Sequence, residues 1–207
     1  MHLIRIDEHN SAETATMAAS ALKDGAVVAY PTETFYGIGV KFDLEDALKK
    51  LYRIKNRPSE KALPLVIGTT KALSLLTDSV PVRAQHLIDA FWPGPLTILF
   101  KARSTLSEYL TAGTGKVAVR IPGESFAFFL ARQCVFPITA TSANLSGLPP
   151  AQDATTVIRY FDDLLDIVID GGITHGGLPS TIVDAAGDRI QLIREGAVPK
   201  ESLKTRD

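Results

Sequence analysis

Four short segments place cations, hydroxyls or an amide beside proline or glycine, each at the end of an apolar run. Loops leaving buried strands are where binding and catalytic groups collect. The first is Tyr30-Pro31-Thr32-Glu33-Thr34-Phe35-Tyr36-Gly37, whose threonines and glutamate can serve a small polar ligand. A plain strand-exit turn is the alternative. The second lies within residues 49–61, where Lys49, Lys50, Arg53, Lys55, Arg57 and Lys61 face one acid, Glu60, for a local balance of 6 − 1 = +5. Pro58 restricts the residue before it and predicts that a helix ends there. Lys55 and Arg57 then fall on irregular backbone, where a mobile ammonium and a planar guanidinium fork can converge on one polyanion. The alternative is a solvated basic helix end, which the helix dipole favours by ~0.3–1 kcal/mol per cation.

The third segment is Lys116-Val117-Ala118-Val119-Arg120-Ile121-Pro122, in which Arg120 interrupts an apolar strand. A buried guanidinium is costly unless paired, so Arg120 calls for a carboxylate partner or an anionic ligand, unless it sits on an edge strand facing water. The fourth is Ile138-Thr139-Ala140-Thr141-Ser142-Ala143-Asn144-Leu145-Ser146-Gly147. Its hydroxyls, amide and turn N–H groups can bind phosphate and orient a nucleotide, or can simply cap turns.

Several familiar patterns fail. Gly113-Thr114-Gly115-Lys116 suggests a P-loop, but position 110 is Leu110 and Val117 stands where Ser or Thr is needed. Gly37-Ile38-Gly39 lacks the third glycine of a dinucleotide fingerprint. No Gly-x-Ser-x-Gly elbow occurs, and His2, His9, His86 and His175 are scattered, so no protein-bound metal is expected.

Positioning these groups requires a rigid frame. Strands are predicted at residues 26–30, 63–67, 96–100, 117–121, 137–141, 167–169, 181–184 and 190–193, from short β-branched runs. Helices are predicted at 12–23 after Asn10 and Ser11, over Leu44, Ala47, Leu48, Leu51 and Ile54 after Asp43, at 82–91, at 125–132, and at 154–161 capped by Asp153. Strands that follow one another without a helix point to an α/β fold with a twisted, mixed parallel and antiparallel open sheet and helices packed on it. With 207 residues, no repeat and no low-complexity linker, one domain over residues 1–207 is expected. An apolar share of 45% supports a real core, and a net charge of −1 argues against a surface built throughout for nucleic acid. Cys134 is the only cysteine, which excludes an intramolecular disulfide and reads as a small buried hydrophobe. No long apolar run opens the chain, and the longest uncharged stretch, 133–152, is broken by Pro137, Pro149 and Pro150, so no membrane span is expected and a cytoplasmic location is.

Taken together, these segments resemble the YrdC-like threonylcarbamoyl-AMP synthase family. The resemblance rests on Pro31-Thr32-Glu33-Thr34-Phe35-Tyr36-Gly37, the Lys-x-Arg of Lys55 and Arg57, and Phe91-Trp92-Pro93-Gly94-Pro95-Leu96-Thr97. It continues through Val119-Arg120-Ile121-Pro122, the Ser-x-Asn of Ser142 and Asn144 followed by Ser146-Gly147, Ser180-Thr181-Ile182-Val183-Asp184, and Arg194-Glu195-Gly196-Ala197. The set runs in the family's order over nearly the whole chain. It implies an α/β fold with a concave cationic groove and formation of threonylcarbamoyl-AMP and pyrophosphate from L-threonine, bicarbonate and ATP, for modification of an adenosine in tRNA. Mg²⁺ would arrive with ATP, and separate tRNA threonylcarbamoyl transferase proteins would act downstream.

By the same resemblance Lys55, Arg57, Ser142 and Asn144 would carry catalysis. Thr34, Arg120 and Ser180 would hold threonine. Lys55, Arg57, Lys61, Lys116, Ser142, Asn144 and Arg194 would hold ATP. Some members carry a further C-terminal domain on a long linker, and the expectation for these residues is the catalytic module. Leu148 and Pro150 stand where family members often place a polar residue near the nucleotide. The rival reading is an RNA- or ribosome-binding protein that uses the same basic groove.

Overall fold

Small side chains decide how the first layer closes. In the computed structural model, which describes residues 1–203, helix α1 (Ser11–Lys23) packs on helix α5 (Phe126–Cys134). The contact buries Ala15, Ala18, Ala19, Ala127 and Ala131 with Leu22 and Leu130. Alanines let the helix axes approach closely without large side chains between them. Cys134 is buried in the same cluster, and burial pushes its thiol up to about 12, consistent with a packing role.

Beneath these helices lies a sheet of β1 (His2–Arg5), β2 (Val28–Pro31), β3 (Tyr36–Gly39), β8 (Thr141–Ser142) and β9 (Ile167–Asp170), in the order β1-β9-β2-β3-β8. Strands β1, β9 and β2 run parallel, while β3 and β8 pair antiparallel. A second sheet holds β4 (Leu65–Val66), β5 (Leu96–Lys101), β6 (Lys116–Arg120), β7 (Ile138–Thr139), β10 (Thr181–Asp184) and β11 (Gln191–Arg194), in the order β11-β10-β5-β6-β4-β7. Here β10 pairs parallel with β5 and β4 with β6, and the remaining pairs are antiparallel. The mixed α/β class expected from the sequence is present. The strands divide into two sheets where the sequence suggested one, because the run at 137–141 breaks at Ala140. Its first half pairs with β4 and its second half with β3.

Helix α2 (Glu45–Lys55) buries Ala47, Leu48, Leu51 and Ile54, the predicted stripe. Fully burying one such leucine contributes about 1.5–3 kcal/mol. The helix ends because Asn56 turns left-handed at φ 46°, a conformation Asn tolerates, and Pro58 follows. Helices α3 (Val82–Phe91), α4 (Glu108–Thr111) and α6 (Ala154–Phe161) complete the set. The cap expected at Asp153 forms, its carboxylate accepting from the Thr156 N–H at 2.7 Å. Strands β1 and β3 and helix α4 were not visible in the sequence pattern. Strand β3 carries two glycines, and Gly39 allows the close approach of β7: a Cβ there would lie 2.6 Å from the Thr139 carbonyl oxygen.

The exit from β4 is equally tight. A Cβ on Gly68 would sit 2.4 Å from the Ala131 carbonyl oxygen and 2.5 Å from Arg132 Cα, both backbone atoms of α5. Gly68→Ala should therefore force α5 outward and lower stability by about 1–3 kcal/mol. Urea unfolding checks this, and an unchanged midpoint would contradict it.

Candidate active site

Between the two sheets lies a cavity of about 710 Å³. Its floor is apolar: Leu65, Leu99, Ala118, Ala140 and Ile182 line it, with Ile193 at its edge. Its polar groups come from loops and strand ends: Thr32 and Thr34 after β2, Arg57 after α2, Arg120 at the end of β6, Ser142 in β8, Ser180 before β10 and Arg194 at the end of β11. An apolar hollow with a few convergent polar groups is the usual form of a small-molecule site.

Each arginine is held differently. Arg57 donates from Nε to the Lys61 carbonyl at 2.9 Å and from Nη2 to the Ala62 carbonyl at 2.7 Å. Burial lowers its pKa, against an opposing influence of the Tyr52 hydroxyl. Arg194 donates from Nη2 to the Ser180 carbonyl at 2.8 Å, and its pKa is lowered by burial and then by the positive charge of Arg120. Arg120 donates from Nη1 to Glu33 Oε1 at 2.5 Å. Of the alternatives raised by an arginine in an apolar strand, the carboxylate partner is therefore realised. Arg120 also lines the cavity.

The hydroxyls are arranged by their own loops. Thr32 Oγ1 donates to the Phe35 carbonyl at 2.7 Å and accepts from the Thr34 N–H at 3.1 Å, which closes the turn after β2 and exposes Thr34 to the cavity. Thr97 Oγ1 and Ser180 Oγ lie 3.0 Å apart. Ser142 Oγ donates to Asn144 Oδ1 at 2.6 Å, and Asn144 Nδ2 donates to the Leu148 carbonyl at 2.7 Å. Asn144 thus fixes the Ser142 hydroxyl from behind and does not itself line the cavity.

Several expected contributors are placed elsewhere. Lys55 was expected on irregular backbone, pointing at a polyanion. It is instead the last residue of α2, 2% exposed, and its Nζ donates to the carbonyl oxygens of Ser142 and Asn144, the latter at 2.8 Å. Helical geometry carries position 55 inward while Asn56 reverses the chain and turns Arg57 toward the cavity. Lys61 is exposed, and its carbonyl, not its ammonium, supports Arg57. Lys116 pairs with Asp184 at 2.5 Å, two residues before Ala118 on β6 and outside the cavity lining. Pro150 lines the cavity, whereas Leu148 is exposed and contributes its carbonyl to Asn144. The basic run is dispersed as well, since Lys50 pairs with Asp166 at 2.7 Å. The sequence offers Glu33 to a small polar ligand, and the structure makes it the partner of Arg120, a pairing that the sequence signals only through the charge of Arg120 in an apolar strand. Among the described residues no group of three or more His, Cys, Asp and Glu could hold a metal, and no helix is long and apolar enough to cross a membrane.

Residues 20–196 match the Sua5_yciO_yrdC family model, described as "Telomere recombination". A Bacillus subtilis (strain 168) relative named threonylcarbamoyl-AMP synthase is 40% identical over 188 residues, which take in 90% of this chain and 54% of the relative. A Pyrococcus abyssi (strain GE5 / Orsay) relative of the same name is 36% identical over 188 residues, 91% of this chain and 55% of the relative. The chain therefore spans about half the length of these curated relatives. The crystal structure of P. abyssi Sua5 complexed with L-threonine matches with a TM-score of 0.92 at 34% identity, over 98% of this chain and 60% of that one. E. coli YciO matches with a TM-score of 0.84 over 98% of each chain; at 23% identity, that likeness shows the fold alone.

The position of Lys55 makes a prediction about pH. Burial, and then the charge of Arg57, pull its pKa from 10.5 down to about 7. Between those values the unfolded chain keeps a proton that the folded chain has released, so folding stability rises with pH across that window. Below about pH 7 the folded protein carries the full cost of the buried ammonium. Relative to Lys55→Met, the wild type should gain stability between about pH 7 and 10, read by urea unfolding at several pH values. A difference that stays flat with pH would contradict this placement.

Proposed function

We propose, because the chain belongs to the Sua5/YciO/YrdC family, that it is an L-threonylcarbamoyladenylate synthase. It would join L-threonine, bicarbonate and ATP into threonylcarbamoyl-AMP and release pyrophosphate. The observation that carries the reading is one hollow lined by Arg57, Arg120 and Arg194 together with the hydroxyls of Thr34, Ser142 and Ser180.

The chemistry asks for that combination. Threonine's amine takes up the carbon of bicarbonate as a carbamate, with loss of water and the ammonium proton. A carbamate oxygen then attacks the α-phosphorus of ATP, and the bond to the β-phosphate oxygen breaks. Both partners are anionic. Two unit charges about 4 Å apart repel by about 4 kcal/mol at the effective dielectric of a protein surface. Guanidinium groups fixed beforehand offset that repulsion without reorganising, and positioning supplies most of the remainder. No nucleophilic side chain or general acid is required.

In this reading Arg57 and Arg194 take the phosphates, with Ser142 at the phosphate and ribose end. Arg120, Thr34 and Ser180 take threonine. Lys55 and Asn144 act through the loop they hold, since the Lys55 ammonium ties two carbonyls of that loop and Asn144 sets the Ser142 hydroxyl. Lys61 precedes the cavity-lining Ala62 and Lys116 stands two residues before the cavity-lining Ala118, so neither lysine is itself in the lining. Mg²⁺ enters as part of the ATP substrate. The product would pass to a separate tRNA-modifying enzyme.

Pyrophosphate release, measured with each substrate omitted in turn, tests the assignment: it should require L-threonine, bicarbonate and ATP together. Arg57→Ala should lower kcat/KM by ~10–100-fold, the size expected for one lost charge-assisted contact. Thr34→Ala should raise KM for threonine far more than KM for ATP. Equal turnover with serine or valine would overturn threonine as the substrate.

A further inference from the structure

The three arginines of the cavity are anchored by acceptors of different charge. Arg57 is held by the carbonyls of Lys61 and Ala62, and Arg194 by the carbonyl of Ser180. These acceptors are neutral, so each guanidinium keeps its full positive charge for a ligand. Neither arginine pairs with a carboxylate among the described residues, whereas Arg120 pairs with Glu33 at 2.5 Å. Both members of that pair are largely buried, with side-chain exposures of 12% for Arg120 and 19% for Glu33. Glu33 Oε2 is buried and has no hydrogen-bond partner among the described residues. A carboxylate that leaves one oxygen unmet inside the protein is a poor stabiliser of the fold, because burying a charge costs more than one contact returns.

We propose that Glu33 sorts the two substrates by charge, dividing the cavity into an end that takes a zwitterion and an end that takes a polyanion. This rests on the reading that the site binds an amino acid and ATP. Beside Glu33, Arg120 presents a dipole with little net charge. A free amino acid carries the matching dipole, its carboxylate meeting Arg120 and its ammonium lying in the field of Glu33. ATP carries only negative charge, so the carboxylate of Glu33 repels its phosphates from Arg120. Arg57 and Arg194, without such a neighbour, attract them. Like-charge contact is an effective way to exclude a wrong partner, and it operates here between two substrates in one hollow. Glu33 is thus a specificity-determining residue that also positions Arg120. Thr32 and Thr34 on either side of it line the cavity, as does Arg120, while Glu33 itself is outside the lining and acts on the cavity from behind Arg120.

Calorimetric titration of L-threonine and, separately, of Mg-ATP into wild type, Glu33→Gln and Glu33→Ala tests the proposal. Glu33→Gln keeps the side-chain volume and an acceptor for Arg120 but removes the charge. Threonine affinity should fall about tenfold or more in Glu33→Gln and further in Glu33→Ala. ATP affinity should hold or rise, and ATP should begin to compete with threonine. These opposite movements separate sorting from a structural role, which would weaken both ligands together. If Glu33→Ala fails to fold, Glu33→Gln carries the test, with its melting temperature as the check. Unchanged threonine affinity in Glu33→Gln, or a parallel loss of both ligands, would overturn the proposal. Wild type that binds L-serine or L-valine in place of L-threonine would overturn the threonine assignment while leaving the sorting intact, provided that affinity falls in Glu33→Gln. Wild type that binds ATP but no amino acid would overturn both.

Discussion

Cations brought close together in a place that water only partly reaches repel one another, and the site is organised around that repulsion. Arg57, Arg120 and Arg194 share one cavity, and Lys55 lies buried just behind it. The crowding registers on two of them: burial and then the charge of Arg57 lower the pKa of Lys55, and burial and then the charge of Arg120 lower that of Arg194. Such an arrangement persists only if the rest of the fold holds the charges in place. It does so with backbone carbonyls for Arg57, Arg194 and Lys55, and with one carboxylate for Arg120. The stored repulsion is what a polyanionic ligand would relieve.

Holding four cations to that standard explains features of the fold that look unrelated. The break at Ala140 sends the chain from one sheet into the other, and the cavity opens between them. The left-handed Asn56 separates the inward Lys55 from the cavity-facing Arg57. The tight contacts of Gly39 with β7 and of Gly68 with α5 hold the two sheets and the overlying helices close enough for loops from distant parts of the chain to converge.

The parts of this arrangement that depend on local pattern were legible in the sequence. Helix α2, its stripe of Leu48, Leu51 and Ile54 and its end before Pro58 follow from periodicity and proline, and the Asp153 cap follows from residue type. Strand β3 was not legible, because Gly37 and Gly39 weaken a strand signal that only its pairing with β2 and β8 supplies. The roles of Lys55 and Arg57 looked alike in sequence and diverge in space, since Lys55 closes the helix facing inward and the left-handed Asn56 redirects the chain before Arg57. Arg120 announced its need for a partner, but the partner, Glu33, lies 87 positions away and could not be named before the fold was known. Lys116 was expected near the nucleotide and is committed to Asp184, another long-range choice that spacing does not encode.

Under the proposed function, a single cavity would bring two anionic reactants together. Mass spectrometry of the product formed from ATP, L-threonine and isotopically labelled bicarbonate tests that most directly. The account predicts an AMP adduct that contains threonine and carries the label in its carbamoyl carbon. An AMP–threonine adduct without the label, or no adduct from protein shown to bind both ATP and threonine, would contradict it.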